Sequence, residues 1–210
     1  MPDLAIAGLI PFSATDWPDH LTATIFTQGC PWRCTYCHNP TLQPFRSGEV
    51  TFADVLDHLD QRRELLDGLV ISGGEPTAQP HLPHAIAATH HHGFKVGLHT
   101  CGYAPKRLAA LLDAPATTPD WIGIDIKALP ADLPAVVGRP AHIAAASWQS
   151  LRIVAASGID CQIRTTVWPN SILEKHLPQL QDEVAALGHT LHVQWARGVD
   201  AEGVYMQQAG

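Results

Sequence analysis

Six short apolar runs rich in β-branched residues recur along the chain, each separated from the next by a polar or amphipathic stretch. They are TATIFTQ (22–28), GLVIS (68–72), FKVGLHT (94–100), WIGIDIK (121–127), IDCQIRTTV (159–167) and TLHVQW (190–195), and their length and composition predict strands. Between them, TFADVLDHLDQRRELL (51–66) predicts a helix with Thr51 as N-cap, Asp54 at N3 and Val55, Leu56, Leu59, Leu65 and Leu66 along its inner face. PHLPHAIAATHHH (80–92), PKRLAALLD (105–113), IAAASWQSLRIVAAS (143–157) and SILEKHLPQLQDEVAAL (171–187) predict four more helices, three of which stop at Gly93, Gly158 or Gly188. Strict alternation with short connections implies a parallel sheet with its crossovers packed outside. A full eight-unit barrel needs about 250 residues. The 210 residues here therefore predict an α/β fold that is an open, partial (β/α)6 TIM-like barrel, a single domain over 1–210 with residues 1–21 as an N-terminal extension packed on it.

Parallel α/β folds collect their ligands where the C-terminal ends of the strands meet the loops. The first predicted strand runs directly into GCPWRCTYCHNP (29–40), which holds three of the five cysteines, and the second ends in Gly73-Gly74-Glu75-Pro76. Spacing alone leaves three readings of the cysteine loop open: a zinc knuckle, a c-type haem on Cys34-Thr35-Tyr36-Cys37-His38, or an iron–sulfur cluster. The N-terminus has an apolar run but no basic flank and no cleavage site, which reads as cytoplasmic and weakens the haem reading, as does the unexplained Cys30. Five cysteines in such a chain speak for reduced thiols. Zinc needs a fourth ligand; His38 adjoins Cys37 too closely, and Cys101 and Cys161 read as isolated, buried thiols at strands. A net charge of −7 without a basic stripe speaks against nucleic acid, and nothing approaches the ~20 apolar residues of a membrane helix.

A CxxxCxxC loop after the first strand and GGEP after the second, in a six-unit βα chain, resemble the radical S-adenosylmethionine enzymes over nearly the whole sequence. SATDWPDHLTATIFTQGCPWRCTYCHNP (13–40), DWIGIDIKA (120–128) and IRTTV (163–167) are similar to the anaerobic ribonucleoside-triphosphate reductase activating proteins, a branch of the glycyl-radical-enzyme activases. The resemblance implies a barrel of the radical SAM type in which Cys30, Cys34 and Cys37 hold three irons of a [4Fe-4S] cluster, one thiolate short of saturation. It implies that the fourth iron takes the amino and carboxylate groups of S-adenosylmethionine, whose sulfonium accepts one electron and releases a 5′-deoxyadenosyl radical. The three cysteines and Lys127 are then catalytic. Gly73, Gly74 and Glu75 are expected to meet the methionyl amino group, mainly through backbone atoms, Tyr36 to lie against the adenine, and His38 to supply backbone contacts. Thr100, Asp125, Lys127 and Arg164 are expected to line the same pocket. The implied partners are a glycyl radical enzyme, an anaerobic ribonucleotide reductase in this branch, and an electron donor such as flavodoxin or ferredoxin.

The residues themselves weigh on these roles unequally. Asp125 and Lys127, two apart, share a face that alternates with Ile122, Ile124 and Ile126, and charges facing a barrel interior need partners. Thr100 suits a strand without any further role, and Arg164 reads equally as a structural arginine paired with an acid. His99 stands where related pyruvate formate-lyase activases carry an aspartate, so a cation site built on that aspartate is not expected. His90, His91 and His92 end a helix, where their charge suits its C-terminus. Trp17, Trp32, Trp148 and Trp168 fit a core or an interface. No further CxxC pair suggests an inserted ferredoxin-like module. Two other functions fit parts of the pattern: a small-molecule enzyme resembling 7-carboxy-7-deazaguanine synthase, and a non-catalytic zinc-binding module.

Overall fold

A computed structural model describes residues 4–200 and 202–205. Seven strands form one sheet in chain order: β1 (Ile6–Ser13), β2 (Thr22–Thr27), β3 (Gly68–Gly73), β4 (Lys95–Thr100), β5 (Trp121–Asp125), β6 (Asp160–Val167) and β7 (Leu191–Trp195). The six expected strands are β2 to β7, each parallel to the next. The seventh is a correction to the sequence reading: Ile6–Ser13, assigned to an N-terminal extension, pairs antiparallel with β2. Gly8 and Pro11 hide its strand pattern, and both are tolerated because β1 is an edge strand with two breaks in register.

Strand order equal to chain order has a direct consequence. Crossovers between parallel strands are right-handed, so each one lays its helix on the same side of the sheet. The sheet curls around its other face into a barrel, rather than taking helices on both faces. Among the described residues β7 does not pair with β1, so the barrel stays open. Among the described residues no helix is long and apolar enough to cross a membrane.

The helices are α1 (Phe52–Asp60), α2 (Leu82–His91), α3 (Pro105–Leu112), α4 (Leu133–Val137), α5 (Ala141–Ala144), α6 (Ala146–Ser157), α7 (Ile172–Lys175) and α8 (Leu177–Ala185). At the start of α1, the Thr51 hydroxyl accepts from the Asp54 amide while Asp54 accepts from the Thr51 amide, a complete capping box. The helix stops six residues before the expected end. Arg63 turns away to donate to the His92 carbonyl (2.7 Å) and lies over the Phe94 ring, leaving Leu65 49% exposed while Leu66 is buried. The expected helix 171–187 is two, broken at His176: Pro178 has no N–H, and its ring conflicts with the Glu174 carbonyl one turn back. The short α4 was hidden by Pro134.

The two faces of the sheet bury different things. Leu69 and Ile71 of β3 face the helices with Ile25, Leu98, Ile122 and Ile124, all fully buried in the main core. Val70 points the other way, where it meets Trp17 and Trp121 in a separate cluster inside the barrel. Trp17 comes from the loop after β1 and passes so close to Gly97 that a Cβ there would lie 2.9 Å from its ring. Of the helix-terminal histidines, His90 pairs with Asp120 (3.0 Å) and His92 with Asp60 (2.9 Å), tying α2 to its neighbours.

The position of the α1 terminus is measurable. Thr51→Ala removes the bonds of the hydroxyl to the Asp54 amide and carboxylate and leaves the bond from the Thr51 amide in place; it is expected to cost about 1 kcal/mol, a fall of roughly 2–4 °C in Tm for a chain of this size. Leu65→Ala, which the longer helix would have made a core deletion, is expected to stay within about 0.5 kcal/mol of the parent. Thermal unfolding followed by circular dichroism compares the two.

Candidate functional site

The loop after β2 is clasped by backbone from three directions. Gly29 and Cys30 donate to the carbonyls of Leu42 and Gln43 (2.8 and 3.0 Å), Arg33 and Thr35 to those of Val137 and Val136, and Glu75 to that of Gly29 (3.0 Å). Gln28 adds side-chain bonds to the Thr41 and Pro44 carbonyls, and the Arg33 guanidinium reaches back to the carbonyls of Cys30 and Trp32. The result is a folded loop whose three thiols are free and half-buried. Cys30, Cys34 and Cys37 line one cleft at the C-terminal ends of the strands.

The turn after β3 approaches this loop so closely that it admits only glycine. Gly73 has φ +120°, and a Cβ on Gly74 would lie 2.4 Å from the Gly29 carbonyl oxygen. Glu75, fully buried, holds the next layer: its Oε1 accepts from the Thr77 amide (2.9 Å), the Thr77 hydroxyl and the Thr100 hydroxyl (2.6 Å), and its Oε2 from the Cys101 amide (2.8 Å). Its carboxylate thus fastens the exits of β3 and β4 together.

The strands beyond supply the charges. Asp125 ends β5, accepts from Arg164 Nε on β6 (2.9 Å) and lies 4.0 Å from Lys127 Nζ, two residues past the end of β5. Burial alone would raise the carboxyl's pKa, but Arg164 and Lys127 outweigh it and hold it below its usual range. Burial likewise opposes the charge of Lys127, yet its neighbours, Tyr36 and Asp125 foremost, keep its pKa well above the usual lysine value. Two cations therefore surround one carboxylate at the cleft wall. Lys127 Nζ also lies 5.5 Å from the centre of the Tyr36 ring, which packs against Trp168 on a tilt (5.1 Å). The Tyr36 hydroxyl is buried, with no hydrogen-bond partner among the described residues.

All the residues singled out from the sequence for this site, namely Cys30, Cys34, Tyr36, Cys37, His38, Gly73, Gly74, Glu75, Thr100, Asp125, Lys127 and Arg164, line this one cleft. Ser72, His99, Cys101, Thr166 and Tyr205 line it as well. Ser72 and Thr166 were legible from alternation, each two residues from a position on the inward face; Tyr205, edge-on to His38 at 4.5 Å, had no sequence signal. Cys101 is buried as expected, whereas Cys161 is only half-buried, with its Sγ 3.9 Å from His189 Nδ1.

The donor set fits an iron–sulfur cluster. Burial, and then the Glu75 charge, pushes the Cys30 thiol up to about 12; burial also raises Cys34, against the pull of Lys127. Such thiols give up their protons to a metal rather than to water. With Cys37 on the same loop, the three thiols match a cluster that keeps one iron open. Among the described residues no group of three or more His, Cys, Asp or Glu is placed to hold a single metal ion, the arrangement a zinc knuckle requires.

A family model described as the radical SAM superfamily matches residues 24–176. Over 123 residues the chain is 32% identical to a protein of Methanocaldococcus jannaschii named as a glycyl-radical enzyme activating enzyme, covering 58% of this chain and 50% of that one. It is 27% identical over 188 residues to the pyruvate formate-lyase-activating enzyme of Streptococcus mutans, covering 84% of this chain and 68% of the relative. The chain thus spans half the length of the first relative and about two thirds of the second. The solved structure of Streptococcus suis SuiB bound to S-adenosylmethionine shares the fold with a TM-score of 0.64 at 14% identity, over 86% of this chain and 41% of that one.

The Glu75 clasp sets a structural expectation that needs no ligand. In Glu75→Gln an amide N–H₂ must face a donor that the carboxylate now accepts, and a buried donor left without an acceptor costs about 1–3 kcal/mol. Urea unfolding of the metal-free variant is expected to show that loss; a midpoint equal to the parent's would return Glu75 to a purely ligand-facing role.

Proposed function

The chain belongs to the radical SAM superfamily, and on that premise we propose that it is an activase, which makes a glycyl radical on a partner enzyme. Members of the superfamily bind a [4Fe-4S] cluster and S-adenosylmethionine, and this pair, when bound, supplies the radical chemistry. In this reading Cys30, Cys34 and Cys37 hold three irons. Gly73 and Gly74 present bare backbone to the amino-acid end of the cofactor, and Lys127 and Arg164 offer cations to its carboxylate. Lys127 and the buried ring of Tyr36 form a wall that keeps water from the reacting atoms.

The observation that carries the reading is the convergence of the three-thiol loop, the glycine turn and the Asp125–Arg164–Lys127 set on one cleft. The kinship with proteins named as activating enzymes and the open barrel, which admits a protein loop from the side, favour a macromolecular substrate. The motif set of the sequence favours an anaerobic ribonucleotide reductase as the partner, in the cytoplasm, with a flavodoxin or ferredoxin as reductant. The reaction moves one hydrogen atom from the glycine Cα to the 5′ carbon, giving 5′-deoxyadenosine and a glycyl radical.

Alanine at Cys30, Cys34 or Cys37 is expected to abolish reductive cleavage, and anaerobic reconstitution of the parent to give about four iron and four sulfide per chain. Alanine at Cys101 or Cys161 is expected to leave the iron content unchanged; a loss there would contradict a three-thiolate site.

The partner is tested directly by incubating dithionite-reduced protein and S-adenosylmethionine with an anaerobic ribonucleotide reductase from the same source. A doublet-like glycyl radical signal in electron paramagnetic resonance, followed by oxygen-dependent cleavage of the reductase at that glycine, is expected. Turnover of a small purine or pterin precursor in step with 5′-deoxyadenosine, with no radical on any glycyl enzyme, would replace the activase by a small-molecule enzyme.

A further inference from the structure

Among the cleft residues that have no part in the proposed chemistry is His99, which faces inward from β4. Its Nε2 lies 2.7 Å from the backbone carbonyl oxygen of Asp16 and 3.3 Å from Nη1 of Arg164. A carbonyl oxygen only accepts, so at 2.7 Å Nε2 carries the proton and donates to Asp16. Arg164 Nη1 also only donates, and it therefore packs beside the ring edge without bonding to it. Burial, and next the Arg164 charge, lowers the His99 pKa to about 4, so the ring is neutral.

The guanidinium of Arg164 has five N–H groups. One, on Nε, goes to Asp125 Oδ1 (2.9 Å), and the four on Nη1 and Nη2 have no acceptor among the described residues. The residue is nonetheless only 8% exposed. A buried fork with open donors, facing a cleft, is the arrangement that recognises a carboxylate through two parallel bonds.

His99 is itself held from behind. Asp16 Oδ2 accepts from the Thr24 hydroxyl (2.6 Å), and Trp17 stacks on Trp121 at 5.8 Å. Trp121 in turn meets the His99 ring edge-on at 5.5 Å. Gly123, on the strand between His99 and Arg164, leaves room for the fork to cross, since a Cβ there would lie 2.9 Å from the guanidinium carbon. The loop after β1 thus reaches through the barrel interior to the floor of the cleft.

We propose that His99 is a positioning residue: anchored on the Asp16 carbonyl, it forms the wall that keeps the Arg164 fork turned toward the carboxylate of an amino-acid-bearing ligand. The ligand's identity rests on the radical SAM reading, in which the methionyl carboxylate is the only anionic group of S-adenosylmethionine. The loop after β1 is then part of the binding site, although it touches no ligand.

The test is equilibrium binding to the anaerobically reconstituted protein, with S-adenosylmethionine and its decarboxylated analogue as probes. His99→Gln keeps a neutral donor of similar reach, and His99→Met keeps the length without the donor. The Met variant is expected to bind S-adenosylmethionine roughly tenfold more weakly with unchanged iron and sulfide content, and the Gln variant within about threefold of the parent. Removing the carboxylate from the probe is expected to weaken binding to the parent and to cost the Met variant clearly less, because its fork is already misplaced. Thr24→Val loosens Asp16 without reaching the cleft and is expected to shift binding in the same sense by a smaller factor, which keeps the question open to test if the Met variant does not fold. Parent-like binding of S-adenosylmethionine by the Met and Val variants, or an equal carboxylate penalty in parent and Met variant, would overturn the proposal while leaving the function reading intact. A reconstituted parent that binds neither probe would overturn both.

Discussion

The fully buried carboxylate of Glu75 is the tie on which the rest of the site depends. It accepts four hydrogen bonds from Thr77, Thr100 and Cys101, joining the exits of two adjacent strands. Its own amide donates to Gly29, so the same residue also fastens the cysteine loop to the turn after β3. A carboxylate in apolar surroundings is costly unless its oxygens are satisfied. Here both are, and the local fold has few ways to rearrange without orphaning one of them. The loop is therefore set before any metal arrives.

That preorganisation explains the glycines. With Glu75 donating to Gly29, the chain at Gly74 runs so near the loop that a Cβ would overlap the Gly29 carbonyl, and at Gly73 it would overlap the Thr27 amide. The resemblance implied that these glycines meet a ligand through their backbone; in the structure they first leave space for the backbone of the neighbouring loop. Both follow from one close approach, since a turn without side chains that is pinned to the loop also presents bare amides to whatever the loop holds.

Much of this was legible in the sequence because strands and their alternation are local signals. The six parallel strands fell within a residue or two of their expected limits, and Asp125, Arg164 and Lys127 met as inward-facing charges must. What stayed hidden is non-local. Nothing in IAGLIPFS announces a strand until β2 offers an edge to pair with, and nothing near Tyr205 announces a contact with His38. Arg164 illustrates a different limit: the sequence offered a structural ion pair or a functional arginine, and the structure commits Nε to Asp125 while the other donors have no acceptor among the described residues, so the two readings were never exclusive.

The loop after β1 shows why the barrel interior is a poor guide to sequence hydrophobicity. Its upper half must stay polar and open for a ligand, so it cannot be filled by the layers of branched side chains that pack a closed barrel. An unfilled lower half would be a cavity, with the loss of contacts that a void entails. Trp17 removes that void from outside the strand pattern, entering over Gly97 to stack on Trp121. The strands are thus free to carry His99, Asp125 and Arg164 above it. The stability of the interior and the polarity of the cleft are separated by one aromatic layer, supplied by a segment that belongs to none of the βα units.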